Sequence, residues 1–387
     1  MATAPVRAGE SKRRPLRREK TGPQIVLRNL RIERFRGIRD LELLDLAPVT
    51  ILTGRNGCGK TSVLEAAFLL CGLSNASLVF SLAAFRGVPA IAGVDTAFRV
   101  LLPDLGEGGT VLIEGSAGRH ESQARLSLEI AGITAAVAAG PTTEPRARLV
   151  GVEFRASSPS GPLPGLVRWE PEPAGAVGSF DVGPLRVEGM PGLRTVVPEN
   201  PDLLPARFVR PQPHVVMPEL HALLTELVKR AETGGVLELV RLVAPGVRGI
   251  QPLVEGGQPV IYVDIGKKQL YPAQILGGGF VNLLQLAAFM CDDLSRLLLI
   301  DEIEDGLHYS VMQSLADAVI TFAHERGKQF IIATHSRDIV SAFANAAANR
   351  PEQLAFFNLI RGAAQHEAVR YSADEARALL EIDSDIR

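Results

Sequence analysis

The pattern of apolar and polar positions divides this chain into segments with different predicted secondary structure. From Ile25 onward, leucine and isoleucine alternate with polar residues, which predicts two or three strands that include a hairpin. An apolar, partly β-branched run at 49–52 predicts a buried strand, and the apolar residues after Lys60 recur with the spacing of a helix. Residues 73–95 then have the pattern of a helical, irregular region.

The middle of the chain is predicted to be rich in β-structure. Short β segments extend over 96–155, and the first of them is "TAFRVLLP". Residues 156–206 are dense in proline and glycine, which indicates loops with weak strands. Two helices with Gly234–Gly235 between them, and then a β-hairpin over 249–266, are predicted to follow.

The last third of the chain predicts a mostly parallel sheet. Two buried-strand patterns, at 297–300 and at Gln329–Ala333, are each followed by polar residues and a helix. Strands that alternate with helices favour a parallel sheet covered on both faces. In such a sheet, ligands bind at the carboxyl ends of the strands.

A glycine-rich loop follows the strand at 49–52. Its sequence "GRNGCGKT" fits G-x-x-x-x-G-K-[ST] at every fixed position and lies between a predicted strand and a predicted helix. Such glycines let several backbone N–H groups face one anion, and the helix adds its positive end. We therefore expect Lys60 to reach the β- and γ-phosphates of a nucleotide and the Thr61 hydroxyl to hold Mg²⁺. The residues of this expected site are Gly54, Arg55, Asn56, Gly57, Cys58, Gly59, Lys60, Thr61 and Ser62. For Cys58, a redox role is the alternative to a small packing residue.

Polar side chains follow both strands of the last third. Asp301 ends the first, where it is suited to bind Mg²⁺ through water, and Glu302 is expected to orient or deprotonate the attacking water. His335 ends the second and is expected to donate a hydrogen bond to the γ-phosphate, or to couple that phosphate to Glu302. An ordinary acidic pair and a structural histidine are the alternatives, and the upstream phosphate loop favours the functional interpretation.

Three consecutive glycines, Gly277, Gly278 and Gly279, precede an apolar helix that is predicted to begin near Phe280. They leave backbone N–H groups free at a helix start, which suits an anion. Two phosphate-binding helix starts in one chain suggest a sandwich in which the loop of one copy completes the site of another. A flexible hinge is the alternative.

Composition limits the class of protein. The chain has 387 residues, is 46% hydrophobic and carries a net charge of −2, so it can form a real core and is not a polycation. Its three cysteines have neither metal nor disulfide spacing, which suits the reducing cytoplasm. The sequence has no apolar run of membrane-spanning length, so we expect no membrane association.

These motifs resemble the ABC-type ATPases of the RecF, SMC and OLD (overcoming lysogenization defect) group, and most closely the compact OLD-like AAA ATPases of bacteria. The segments that carry the resemblance, in the family's order, are "IERFRGIRDLELLDLAPVTILTGRNGCGKTSVLEA", "LGGGFVNLLQLA", "LLLIDEIEDGLH" and "ATHSRD". The resemblance covers 25–95 and 205–345 well and 100–205 weakly.

The resemblance implies an α/β fold: an ABC-type P-loop NTPase with a mostly parallel sheet core, an antiparallel β subdomain and a helical/β insertion. It also implies a head-to-tail sandwich dimer around ATP. The implied roles are Walker A for Lys60 and Thr61, Walker B for Asp301 and Glu302, the signature loop for Gly277, Gly278 and Gly279, and the switch histidine for His335.

Two positions depart from the wider ABC pattern. Gly277 stands where a serine usually precedes two glycines, so the backbone donors remain but a side-chain contact to the γ-phosphate is lost. His308 stands where the D-loop usually ends in aspartate, and "GLH" there is similar to the OLD pattern.

The expected organisation follows from these motifs. In order, it consists of a disordered basic tail at 1–23, an N-terminal ATPase lobe with Walker A at 24–95, a β-rich insertion at 96–215, a helical segment with the signature loop and the C-terminal ATPase lobe at 216–350, and a C-terminal strand and helix extension at 351–387.

We therefore expect a cytoplasmic ATPase that uses ATP and Mg²⁺ and assembles as a homodimer or higher homo-oligomer. Its assembly is expected to control engagement of DNA or of an effector protein, in antiphage defence or DNA repair. OLD nucleases continue into a metal-dependent Toprim domain. The residues after His335 show no further cluster of acidic residues at predicted strand ends that could hold catalytic metals, so no nuclease activity is expected in this chain. A separate nuclease or toxin is the candidate partner, by family analogy. The alternative is a nucleotide-gated scaffold or sensor that holds and releases an effector, with turnover incidental.

The basic tail allows a direct test of DNA binding. A solvated tail and a nucleic-acid-binding arm are the two interpretations of residues 1–23, which are rich in arginine and lysine. Deletion of residues 1–22 should leave ATP hydrolysis unchanged and weaken salt-sensitive DNA binding, because fewer counterions are released. Anisotropy of a labelled duplex over a salt series measures this, and unchanged DNA affinity would remove the arm hypothesis.

Overall fold

The computed structural model describes residues 26–73, 75, 77–86, 98–102, 110–117, 124–137, 146–159, 161–169, 179–182, 185–188, 204–210, 213–362 and 365–381. The predicted tail at 1–23 lies outside these residues. The helices are α1 (Lys60–Gly72), α2 (Ser77–Phe85), α3 (Pro213–Lys229), α4 (Gly234–Arg241), α5 (Gly278–Cys291), α6 (Met312–Arg326), α7 (Arg337–Ala346) and α8 (Ala373–Glu381).

The strands form three sheets. They are β1 (Leu27–Phe35), β2 (Ile38–Leu43), β3 (Val49–Thr53), β4 (Thr110–Ala117), β5 (Ala124–Val137), β6 (Arg146–Ser158), β7 (Gly161–Trp169), β8 (Ser179–Val182), β9 (Leu185–Glu188), β10 (Ala206–Val209), β11 (Gly249–Glu255), β12 (Gln258–Asp264), β13 (Tyr271–Pro272), β14 (Leu297–Asp301), β15 (Gln329–Ala333), β16 (Leu354–Arg361) and β17 (His366–Ser372).

The central sheet has the strand order β10-β14-β15-β3-β16-β17. Its first five strands pair in parallel, and β17 is antiparallel to β16. The large sheet, β2-β1-β4-β5-β6-β7-β8-β9, is antiparallel throughout, as is the small sheet β11-β12-β13. The parallel strands therefore end together at one edge of the central sheet, and the polar residues that follow β14 and β15 lie at that edge.

Both faces of the central sheet are covered. Successive residues of β14 face opposite sides: Leu297 and Leu299 pack in a core with α1 and the large sheet, whereas Leu298 and Ile300 pack in a second core with α5, α6 and α7. Every residue of β3, β14 and β15 is buried. This two-sided burial explains why apolar residues in these strands occupy successive positions and do not simply alternate with polar ones.

Two local predictions are wrong. Residues 98–102 of "TAFRVLLP" form a helical turn rather than a strand, with Leu101 N–H donating to Phe98 C=O at 3.0 Å. Phe98 and Leu101 are both buried, and their three-residue spacing places them on one side of that turn. The glycine pair predicted between two helices instead begins the second one, since α4 starts at Gly234.

The side chain of Lys328 caps the carboxyl end of α5. Its Nζ donates to the carbonyl oxygens of Asp292 and Ser295 at 2.6 and 2.8 Å, and Lys328 is 2% exposed. Burial lowers the pKa of Lys328 to about 8, and the nearby carboxylate of Asp292 opposes that shift. The buried ammonium thus fixes one end of the helix whose other end carries the three glycines.

The side chain of Gln329 joins the large sheet to the central sheet. Gln329 is fully buried; its Oε1 accepts hydrogen bonds from the N–H groups of Val26 and Leu27 at 3.0 and 2.8 Å. Its Nε2 donates to the carbonyl oxygens of Leu27 and Ala47 at 2.8 and 3.2 Å. One amide therefore fills its two acceptor and two donor positions with backbone partners of the first strand and of the turn before β3.

Replacement of this amide should destabilise the fold. Gln329→Leu leaves buried backbone groups without partners, and each such group costs about 1–3 kcal/mol. We expect the free energy of unfolding to fall by about 3 kcal/mol or more, as measured by urea denaturation. Gln251→Leu, on the exposed side of β11, is the matched control and should change stability by less than about 0.5 kcal/mol. Equal effects of the two substitutions would contradict this role for Gln329.

Candidate functional site

A cavity of about 350 Å³ opens where β3, β14 and β15 end. The residues that line it come from the glycine-rich loop, from α1 and from these strand ends, together with one arginine that follows α2; they are Asn56, Gly57, Gly59, Lys60, Thr61, Ser62, Arg86, Asp301, Glu302, Ala333 and His335. Most of the site residues predicted from the sequence thus surround one cavity. Gly54, Arg55, Cys58 and the glycines at 277–279 are not among its lining residues.

The glycine-rich loop is held from behind by the end of β16. Gly54 has φ +130°, and a Cβ on it would lie 2.5 Å from the carbonyl oxygen of Leu359. Cys58 is buried under the same loop, with its Sγ 2.8 Å from that added Cβ. Position 54 is a glycine because this close contact leaves no space for a side chain. The burial of the thiol supports the interpretation of Cys58 as a packing residue.

Lys60 lies at the start of α1 and folds back over the loop. Its Nζ donates to the carbonyl oxygens of Gly54 and Arg55 at 2.6 and 3.2 Å. These acceptors are neutral, so an anionic phosphate in the loop would be a stronger partner for the ammonium.

Thr61 and Asp301 meet across the cavity floor. The Thr61 hydroxyl lies 3.2 and 3.0 Å from the two carboxylate oxygens of Asp301, and Arg210 Nε lies 3.3 Å from Asp301 Oδ2. Burial raises the pKa of Asp301, and the guanidinium of Arg210 and the Thr61 hydrogen bond oppose that shift. A hydroxyl and a carboxylate this close are oxygen ligands that suit Mg²⁺, which proteins usually bind through one or two carboxylates together with substrate phosphates.

The buried carboxylate of Glu65 holds Arg86 at the wall of the cavity. Glu65, on α1 one turn after Thr61, is fully buried, and Arg86 donates to both of its oxygens at 2.7 and 2.8 Å. Arg36 approaches the same carboxylate at 3.0 Å, and burial lowers the pKa of Arg36 to about 10. Two arginines against one glutamate leave this wall positively charged, which favours an anionic ligand.

Glu302 and His335 both line the cavity. Glu302 has φ +51°, an uncommon conformation for a non-glycine residue, and its N–H donates to the carbonyl oxygen of Ala333 at 3.0 Å. His335 Nδ1 lies 3.1 Å from Glu304 Oε1. The carboxylate that contacts the histidine within the chain is therefore Glu304.

Sequence reasoning missed four residues of this site: Glu65, Arg86, Arg210 and Glu304. A single glutamate among the apolar residues of α1 was the available signal for Glu65. The arginines carry no comparable local signal, because their partners lie on other elements.

The three glycines lie at the start of α5 and outside the cavity. Gly277 has φ +100° and precedes the helix, and nothing would obstruct a Cβ on Gly277 or Gly278. At Gly279 a Cβ would lie 1.8 Å from the carbonyl oxygen of Gly306, in the loop after β14. Gly279 thus has a packing role within the chain, whereas Gly277 and Gly278 are exposed.

Two further properties concern the described residues only. Within them, no group of three or more His, Cys, Asp or Glu side chains is arranged to hold a metal ion. None of their helices has the length and apolar character needed to cross a membrane.

Two AAA family models match parts of the chain. One, described as "AAA domain, putative AbiEii toxin, Type IV TA system", matches residues 182–341, and another, described as "AAA domain", matches residues 29–78. The second match contains the glycine-rich loop, and the first contains Asp301, Glu302 and His335. These matches support a nucleotide-binding ATPase of the AAA type. No curated protein has a matching sequence.

Several solved structures of SMC head domains are similar to the chain. The SMC head domain from Thermotoga maritima is 12% identical, with 90% of this chain and 99% of that chain covered and a TM-score of 0.43. An SmcHead bound to the C-winged helix domain of ScpA is 15% identical, with 91% and 100% covered and a TM-score of 0.46. The head domain with an extended coiled coil, bound to the C-terminal domain of ScpA derived from Pyrococcus furiosus, is 12% identical, with 92% and 99% covered and a TM-score of 0.46.

Adjacent glycines at the start of α5 offer a matched pair of substitutions. Gly279→Ala should lower the free energy of unfolding by about 2 kcal/mol or more, because its Cβ collides with backbone that cannot move freely. Gly278→Ala should be neutral or slightly stabilising, since its Cβ enters open space in the first turn of a helix. Thermal or urea unfolding of both variants measures the difference, and a stable Gly279→Ala protein would contradict the close backbone contact.

Proposed function

We propose that this chain is an ATP-hydrolysing ATPase of the ABC type, similar to the compact OLD-like proteins, and that its ATP-dependent assembly controls engagement of DNA or of an effector protein. The observation that carries the proposal is the single cavity lined by Lys60, Thr61, Asp301, Glu302 and His335. An ammonium at the phosphates, a hydroxyl and a carboxylate for Mg²⁺, and a second carboxylate for the attacking water are groups that P-loop enzymes use for nucleotide hydrolysis.

In this proposal the glycine-rich loop and Lys60 bind the phosphates. The backbone N–H groups of the loop and the positive end of α1 hold the β-phosphate, and the ammonium of Lys60 leaves its neutral carbonyl partners for the β- and γ-phosphate oxygens. Arg86, held by Glu65, supplies a second positive charge at the wall. These groups stabilise the negative charge that spreads over the γ-phosphate during transfer.

Mg²⁺ would be held by Thr61 and, through water, by Asp301. The fit rests on the 3.0 Å separation of their oxygens and on the exclusively oxygen character of the pair. When bound, the ion neutralises phosphate charge and orients the triphosphate.

Glu302 is the proposed base for the attacking water. Glu302 is an exposed residue that lines the cavity, one position after Asp301. Its backbone N–H donates to the carbonyl oxygen of Ala333, at the end of β15. From there it accepts the water proton as the oxygen attacks phosphorus, while ADP departs with the electron pair of the broken bond. His335, on the neighbouring strand end, contacts the γ-phosphate.

The glycines at 277–279 are the proposed signature loop of a second copy. They lie outside the cavity of their own chain, and Gly277 and Gly278 are exposed at a helix start. A head-to-tail homodimer would bring this helix start to the γ-phosphate bound by the partner, as in a sandwich. A higher assembly could repeat the same contact.

A nucleotide-gated scaffold is the second candidate function. Gly277 stands where ABC signatures usually have serine, which removes one contact to the transferred phosphate. In this version ATP binding assembles the protein and holds a separate nuclease or toxin, and hydrolysis is incidental. Antiphage defence and DNA repair are the cellular settings proposed for either version.

One set of variants tests the proposal. Glu302→Gln should bind ATP, hydrolyse it at least about a hundredfold more slowly, and double in mass with Mg-ATP, because the closed assembly is trapped. Lys60→Ala should lose tight ATP binding and remain at its starting mass. Light scattering, equilibrium ATP binding and phosphate release measure these outcomes.

The results separate the candidate functions. Wild-type turnover in Glu302→Gln would exclude Glu302 as the base, and unchanged ATP affinity in Lys60→Ala would exclude the phosphate site. Strong acceleration of turnover by duplex DNA would favour the DNA-engaging ATPase over the scaffold. A mass that does not respond to Mg-ATP would contradict the sandwich.

A further inference from the structure

One carboxylate oxygen of Glu304 makes three contacts. Its Oε1 accepts hydrogen bonds from the Thr334 hydroxyl at 2.8 Å and from the His335 N–H at 3.1 Å, and it lies 3.1 Å from His335 Nδ1. Glu304 follows β14 and His335 follows β15, so this carboxylate joins the ends of two parallel strands.

The difference in exposure between Glu304 and His335 shows which way the imidazole ring of His335 faces. The side chain of Glu304 is 9% exposed, whereas that of His335 is 55% exposed and lines the cavity. An imidazole has two ring nitrogens, and Nδ1 faces the protein. Nε2 is therefore the nitrogen available to a ligand in the cavity.

Glu304 is itself held in place. The Thr334 N–H donates to the carbonyl oxygen of Leu52 at 3.0 Å, and the Leu307 N–H donates to the carbonyl oxygen of Glu304 at 3.0 Å. The first bond connects Thr334, one partner of the carboxylate, to the end of β3, and the second closes a turn in the loop that carries Glu304. The orientation of the histidine ring is therefore set by the end of the central sheet, through Thr334, together with the turn that holds Glu304.

The second carboxylate oxygen supports a role beyond stability. Glu304 Oε2 is buried and has no hydrogen-bond partner among the described residues. A buried acceptor without a partner costs free energy, and a catalytic role is one recognised reason for keeping such a group. An arrangement that served stability alone would gain from pairing both oxygens.

We propose that Glu304 is the positioning residue of His335, and that it fixes which ring nitrogen faces the γ-phosphate. This inference rests on the proposed ATPase function. With Nδ1–H donated to Glu304, the neutral ring carries its lone pair on Nε2, towards the cavity. When the ring is protonated, Nε2–H becomes a donor to phosphate along the same direction, and the carboxylate balances the positive charge.

The first test is spectroscopic and needs no nucleotide. In protein labelled with ¹⁵N-histidine, at alkaline pH where imidazole is neutral, long-range ¹H–¹⁵N spectra distinguish the two tautomers. His335 is identified by the signal lost in His335→Asn. We expect the Nδ1–H tautomer in the wild type, retention of it in Glu304→Gln, whose amide oxygen still accepts, and loss of it in Glu304→Ala.

The second test is kinetic. Glu304→Ala should lower kcat for ATP about tenfold or more, by analogy with the outer partners of metal-bound histidines, with little change in KM. Glu304→Gln should recover most of that loss. Combining Glu304→Ala with His335→Asn should cost little more than His335→Asn alone, because the two residues act as one unit.

Controls separate positioning from folding. Asp338→Asn removes a carboxylate three residues after His335 and should leave both the tautomer and kcat unchanged. Thermal unfolding of each variant identifies any that fails to fold, and Thr334→Val, which removes one donor to Glu304, then provides a milder variant that should shift the tautomer partially.

The outcomes distinguish this inference from the proposed function. An unchanged His335 tautomer in folded Glu304→Ala overturns the inference, and so does an unchanged kcat, while leaving the Lys60 and Glu302 results intact. If wild-type protein hydrolyses no ATP, the proposed function fails, and the tautomer measurement still decides whether Glu304 positions the ring.

Discussion

Parallel hydrogen bonding between β3, β14 and β15 is the constraint on which the site depends. In register, Asp301 lies opposite Ala333 and Ala333 opposite Leu52, so segments separated by more than two hundred positions end at one edge. The ladder continues past the strands, since Glu302 N–H donates to Ala333 and Thr334 N–H donates to Leu52. A slip of one residue would turn these side chains to the other face of the sheet, and the cavity would lose its polar lining.

The charges around the cavity depend on that sheet as well. β10 pairs beside β14, which brings Arg210 next to Asp301, and α1 crosses the sheet so that Glu65 reaches Arg36 and Arg86. Buried charges are costly unless paired, and the buried carboxylates of Asp301 and Glu65 each have cationic partners, with the Thr61 hydroxyl as a further partner of Asp301. The pairing keeps the site charged and ordered, which suits a ligand that is itself highly charged.

Local patterns predicted much of the fold. The mainly apolar segments at 49–52, 297–300 and 329–333 correspond to β3, β14 and β15, because a strand buried on both faces is apolar at most of its positions. "TAFRVLLP" failed because a short apolar segment fits a strand and a helical turn equally well, and the burial of Phe98 and Leu101 favoured the turn. Long-range packing decides such cases.

The sequence by itself determined the glycine-rich loop between a strand and a helix, and the polar residues that end two buried strands. These features are local, since a loop's glycines and a strand's apolar run need no distant partner. Only the tertiary structure decided that His335 contacts Glu304, and that Arg86 and Arg210 join the site. Side-chain partners follow from strand order, register and helix crossing. These features depend on contacts between residues hundreds of positions apart, so no local sequence pattern predicts them.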